Sequence, residues 1–115
     1  MQYLLLIYAN EEHENAKPAQ AVQARMANYG LFTKGIVESG AYVGGNRLRD
    51  TCDATTVRVR GGKTVTTDGP FAETREALGG YYLVEAATIE EATAMAAKIP
   101  SALDGCVEVR PVWSM

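Results

Sequence analysis

Near the start of the chain, Tyr3-Leu4-Leu5-Leu6-Ile7-Tyr8 is apolar at consecutive positions, not at alternating ones. Successive side chains of a strand point to opposite faces, so a strand of this composition needs cover on both. Tyr81-Tyr82-Leu83-Val84 has the same character. The two read as the central pair of one sheet. A single layer of helices covers one face only, so something else must cover the other, most economically the sheet of a second copy. The expectation is a homodimer with two sheets face to face.

Between and beyond these strands the punctuation is regular. Asn10–Lys17 reads as a polar loop, with Pro18 placed for the first turn of a helix. Val22, Met26, Tyr29, Phe32 and Ile36 carry that helix through Ser39, and Gly40 stops it. A strand over Ala41–Leu48 is interrupted by Gly44-Gly45, either a bulge or a point of close backbone approach. Thr55–Arg60 alternates apolar and basic residues before Gly61-Gly62 and Lys63–Thr67, which signals a hairpin. Thr88-Ile89-Glu90-Glu91 is a capping box, opening a helix whose buried stripe is Ile89, Ala92, Ala96 and Ile99 and which Pro100 closes. Val107–Trp113, with Pro111, suits an edge strand in which Val107, Val109, Pro111 and Trp113 face one way and Glu108 and Arg110 the other. Strand, helix, strand, inserted hairpin, strand, helix, strand is the order of an α+β fold, a ferredoxin-like split βαβ sandwich, with both helices on one face.

The candidate site lies where the hairpin returns to the sheet. Pro70 fixes its own φ and restricts Gly69, and Asp68 has the side chain for an Asx turn, giving a stiff corner with Phe71 as an anchor. Glu73, Arg75 and Glu76 follow at once, then Gly79-Gly80 turns the backbone into Tyr81. Asp68 is either a turn former or a general base at the mouth of the sheet, with Glu73 or Tyr81 beside it. Glu73 and Arg75 form an exposed or subunit-crossing ion pair, or clamp a ligand. Arg47, Arg58 and Arg110 would meet an anionic substrate if their strand faces line the space between sheets; the alternative is pairing with neighbours such as Glu108. Tyr42, Tyr81 and Tyr82 pack, or present a phenol to a ligand. His13, among glutamates, reads as exposed.

Composition narrows the function classes. With 115 residues and a formal charge of -3, acidic and basic residues interspersed, the chain is long enough for one domain with its own core and offers no basic stripe to nucleic acid or an anionic membrane. Cys52 and Cys106 stand apart, with no CxxC and no adjacent histidine, so neither a metal nor a redox pair is expected. The first apolar run is too short for a membrane span and has no basic stretch before it, which gives the expectation of a cytoplasmic protein. No nucleotide loop is present, and no cofactor is expected.

The segment DGPFAETREALGGYYLVEA, with IEEATAMAAKIP and the closing VEVRPV, closely resembles the DGPF branch of the YCII-related domain family. The resemblance implies a ferredoxin-like subunit pairing into a dimeric α+β barrel. Some relatives of that type use a histidine and an aspartate, one branch eliminating chloride from a chlorinated ring-cleavage product. Here Pro18-Ala19-Gln20 stands where those relatives place the histidine, and Gln20 has no titrating group. Two classes of function follow. One is a small-ligand-binding or regulatory barrel, with Glu73, Arg75, Tyr81, Arg47 and Gln20 as ligand contacts and a small anionic metabolite as ligand. The other is a cofactor-free enzyme for elimination, isomerisation or hydrolysis, with Asp68 as acid or base.

Overall fold

The structure, a computed structural model, describes residues 1–114. Six strands and three helices follow in chain order: β1 (Gln2–Ala9), α1 (Glu11–Asn15), α2 (Ala19–Glu38), β2 (Tyr42–Arg47), β3 (Thr55–Arg60), β4 (Lys63–Asp68), β5 (Ala77–Glu85), α3 (Ile89–Ala96) and β6 (Cys106–Pro111). Short 3-10 turns at Thr51–Asp53 and Pro100–Leu103 link them. Four strands form an antiparallel sheet in the order β2-β5-β1-β6, and β3 and β4 form a separate hairpin. The expected central pair is central, Val107–Pro111 lies on an edge strand, and the mixed α+β arrangement is compatible with a ferredoxin-like sandwich.

Register divides the sheet into two unlike faces. Tyr3, Leu5 and Ile7 lie opposite Val84, Tyr82 and Gly80 and pack with Phe32 and Ile36 of α2 and with Ala92, Ala96 and Ile99 from α3 and its C-terminal extension. That side is the core; Leu5 and Val84 are fully buried. The residues between them, Leu4 and Leu6 opposite Leu83 and Tyr81, face the other way with no helix over them and are only half-buried.

Local signals explain most boundaries. Gly40 takes φ +79°, and Gly40 and Ala41 donate to the Val37 and Ile36 carbonyls (3.1 and 2.9 Å), the paired bonds that close a helix end. The Glu91 amide donates to Thr88 Oγ1 (3.2 Å) while the Ala87 amide donates to Glu91 Oε2 (2.9 Å), so the capping box forms with its return bond shifted by one residue. The ladder slips at Tyr42–Gly44, a bulge, and Gly45 is also a close approach, since a Cβ there would lie 2.8 Å from the Tyr81 carbonyl oxygen. On β6 the Val112 amide turns inward to the Gln2 carbonyl (3.0 Å), leaving the imino nitrogen of Pro111 on the outer, unpaired side.

Four expectations need correction. Asn10–Lys17 is not a loop throughout: Asn10 Oδ1 accepts from the His13 amide (2.9 Å), and Glu11 and Glu12 in the first turn suit the helix dipole, so α1 forms. Ile89 opens α3 at 39% exposure, before the helix has rotated onto the core. Trp113 lies past the end of β6 and is 89% exposed. Phe71 is no anchor within its own chain, at 79% exposure.

A compact monomer of 12.4 kDa exposes about 6,100 Å². This chain exposes 8102 Å². Its radius of gyration is 16.1 Å, against about 13 Å for a chain of this length. The molecule is a plate of 48 × 44 × 18 Å.

Candidate functional site

The C-terminal ends of β1 and β2 and the start of β5 meet at one end of the plate. Ala9 pairs with Ala77, Arg47 with Gly80, and the Leu48 amide donates to the Gly79 carbonyl (2.9 Å). The hairpin and the 69–76 segment return to the sheet here.

Asp68 is the last residue of β4, opposite Thr55, and exposed. The expected Asx turn does not form. The Gly69 amide donates instead to the Ala54 carbonyl (2.7 Å) and Thr56 Oγ1 donates to the Gly69 carbonyl (2.8 Å), so backbone and threonine hold the corner; no side-chain hydrogen bond to Asp68 occurs among the described residues. Glu73 and Arg75 are exposed and form no ion pair with each other; in that turn Thr74 Oγ1 donates to the Glu76 carbonyl (2.5 Å). Tyr81 faces the uncovered side of the sheet, and its hydroxyl accepts from Asn46 Nδ2 (2.8 Å). Arg47 follows Asn46 and therefore points to the helix side, where Nη1 lies 3.6 Å from the Met26 sulfur. Gln20 is exposed in the first turn of α2. Among Asp68, Glu73, Arg75, Tyr81, Arg47 and Gln20 no side chain hydrogen-bonds another within the described residues, and Arg47 and Tyr81 lie on opposite faces.

On the uncovered face, Glu108 and Arg110 of β6 stand opposite Leu6 and Leu4 and pair with each other. Cys106 lies opposite Tyr8, its sulfur 3.9 Å from Glu76 Oε1. Partial desolvation, then the Glu76 carboxylate, push the thiol pKa up, which disfavours the nucleophilic thiolate. The face is therefore a leucine and tyrosine floor bordered by Asn46 on one edge and by Glu108 and Arg110 on the other.

The tightest polar cluster was invisible in the sequence. Asp104, after the 3-10 turn that follows α3, receives Arg25 Nη1 and Nη2 (3.2 and 2.8 Å) and Lys17 Nζ (2.8 Å), and Lys17 also pairs with Glu14. Arg25 Nη1 lies 3.2 Å from Ser101 Oγ, which shares a 2.6 Å hydrogen bond with the Tyr29 hydroxyl. Arg25 first, then Lys17, lower the Asp104 pKa to about 2, while burial pushes the Tyr29 phenol up. Only the Glu14–Lys17 spacing of three residues was a local signal. The cluster joins α1 and α2 to the far end of α3, and all its charges are satisfied, as in a structural tie.

Two depressions mark the surface. One, about 520 Å³, lies between Met1, Gly40, Glu85, Glu91 and Met95, at the other end of the sheet from Asp68. The second, about 450 Å³, is lined by Glu11, Glu12, Asn15, Asp50 and Thr51, a wall that would repel an anion. Among the described residues no group of three or more histidines, cysteines or acids is placed to hold a metal, and no helix is long and apolar enough to cross a membrane.

The YCII-related domain model matches residues 1–115, the whole chain. The chain belongs to the YCII-related domain family. An uncharacterised protein of Rhizobium meliloti (strain 1021) is 35% identical to this YCII-related chain over 114 residues, covering 97% of it and 92% of the relative. The family assignment agrees with the motifs that carried the resemblance. In this YCII-related chain Gln20 is exposed, and His13 is exposed in α1.

Proposed function

We propose that the protein is a homodimeric α+β barrel of the DGPF type that binds a small anionic or oxygenated metabolite between two facing sheets. The supporting observation is the one-sided burial of the four-stranded sheet: Leu4, Leu6, Leu83 and Tyr81 line a face that its own helices do not reach. The surplus of exposed area, roughly 2,000 Å² over a compact monomer, is of the size that a substantial subunit interface removes. Arg110, Asn46 and Tyr81 supply the donors at the rim of that face, and the leucines supply its floor.

The test combines sedimentation velocity with a thermal-shift screen of small carboxylic and phosphorylated metabolites. The expected result is a dimer at micromolar concentration whose melting temperature rises with an anionic ligand, because a ligand bound only by the native state stabilises it. A monomer throughout would sink the reading.

A second reading is favoured by one observation, the exposed Asp68 carboxylate left without a hydrogen-bond partner among the described residues. In that reading Asp68 is the acid or base of a cofactor-free elimination, isomerisation or hydrolysis. Asp68→Asn separates the two: binding without turnover, at an unchanged melting temperature, supports the chemical role, and unchanged binding and turnover retire it.

A further inference from the structure

We infer that the β3–β4 hairpin is an arm that closes over a second copy of the chain, laying its Val57 and Val59 face on the partner; this rests on the dimer proposed above.

The hairpin has two unlike faces. By register Val57 and Val59 stand opposite Thr66 and Thr64, giving one face whose sole charge is Asp68 at its root, opposite Thr55, while Arg58 stands opposite Val65 and Arg60 opposite Lys63, giving a basic one. Val57 and Val59 are 59% and 60% exposed. Every residue of β4 is exposed, as are all of β3 except Thr56. An isolated two-stranded ribbon is marginal in water, and β-branched residues on an exposed face add nothing unless covered. Neither strand packs appreciably on another element of its own chain.

Area points to a second copy as the cover. Four strands spaced about 4.8 Å apart and 6 to 9 residues long, at about 3.3 Å each, have a footprint of roughly 460 Å². Even doubled for roughness, that face cannot absorb an excess of roughly 2,000 Å². The interface must extend beyond the sheet. The same strands span about 20 Å across and up to about 30 Å along, whereas the plate is 48 × 44 Å, so elements overhang the sheet. The hairpin joins β5 directly through residues 69–76, and β5 carries Leu83 and Tyr81 on the uncovered face. A partner seated on that face is therefore adjacent to the hairpin's root. The hairpin carries Arg58, Arg60 and Lys63 against Asp68 alone, while the whole chain is -3, so a net-positive arm meets a net-negative body; the three cations lie on the face turned away from the partner and act on the encounter, not as docked contacts.

The experiment places the photoreactive residue p-benzoylphenylalanine at Val59, with Lys98, exposed just beyond α3, as the control position, and irradiates the full chain at micromolar concentration. A covalent dimer from position 59 and none from position 98, with sedimentation reporting a dimer for both, supports the arm. A sedimenting dimer with no covalent product from position 59 overturns the arm and leaves the dimer standing. A monomer for both proteins overturns both. Independently, the double substitution Val57→Thr, Val59→Thr keeps strand propensity and should raise the dimer dissociation constant at least tenfold with an unchanged circular dichroism spectrum; an unchanged constant counts against the arm.

Discussion

Asp104 shows how much a single carboxylate can tie together in a chain whose helices are sparsely buried. Its folded pKa of about 2 lies below the value near 3.8 expected without its partners, so its contribution is complete above about pH 4 and is lost as pH falls toward 2. Because the group is partly exposed, screening trims that contribution to about 1 kcal/mol. Asp104→Asn should therefore lower stability by about that amount at pH 7 and flatten the acid limb between pH 4 and 2, read by urea denaturation across pH. Nothing in the sequence around Asp104 marks it, since Lys17 and Arg25 stand 87 and 79 positions away. Gly105 was equally illegible: a Cβ there would lie 2.2 Å from the Tyr8 carbonyl oxygen, whereas at Gly44 it would meet nothing within 4 Å. Gly105→Ala should cost about 2 kcal/mol and Gly44→Ala about 0.5 or less, compared by thermal melts.

Among the elements, α2 is divided against itself. Its buried residues, Phe32 and Ile36, lie in the C-terminal half. In the N-terminal half Val22 and Met26, 40% and 55% exposed, lie on the stripe that faces the core further along the helix. Arg25 is the main tie of that half, through Asp104 and Ser101. Arg25→Ala should accelerate amide exchange across residues 19–28 and leave 32–38 protected, measured by hydrogen exchange with mass spectrometry. Periodicity revealed the helix and its face but not how far the core extends beneath it, because a repeat of 3.6 residues is indifferent to what lies opposite. The strands were easier. Consecutive apolar residues in Tyr3–Tyr8 and Tyr81–Val84 announced two central strands, and alternation in Thr55–Arg60 announced the hairpin. Glu108 and Arg110 pair as their spacing on one strand face indicated. By contrast, Asp68, Glu73 and Arg75 stand in the motif that carried the family resemblance, yet among the described residues they form no hydrogen bond or ion pair with one another.

For the whole molecule, the decisive quantity is surface that folding has left wet. Leu83→Lys places a charge at the centre of the uncovered face, between Leu4 and Gly44 and with no helix above it, and for the proposed dimer should yield a monomer with unchanged secondary structure by sedimentation velocity and circular dichroism. The consecutive-apolar strands made the unmet face legible in advance, yet the extent of the surplus emerges only with the folded plate. A plate with free strand edges runs a further risk, that of adding neighbours without end. Here Pro111 intervenes: its missing N–H is on the outward side of β6. A chain arriving at that border finds a gap in the row of donors, so pairing along this edge is disfavoured while stacking across the broad face stays open.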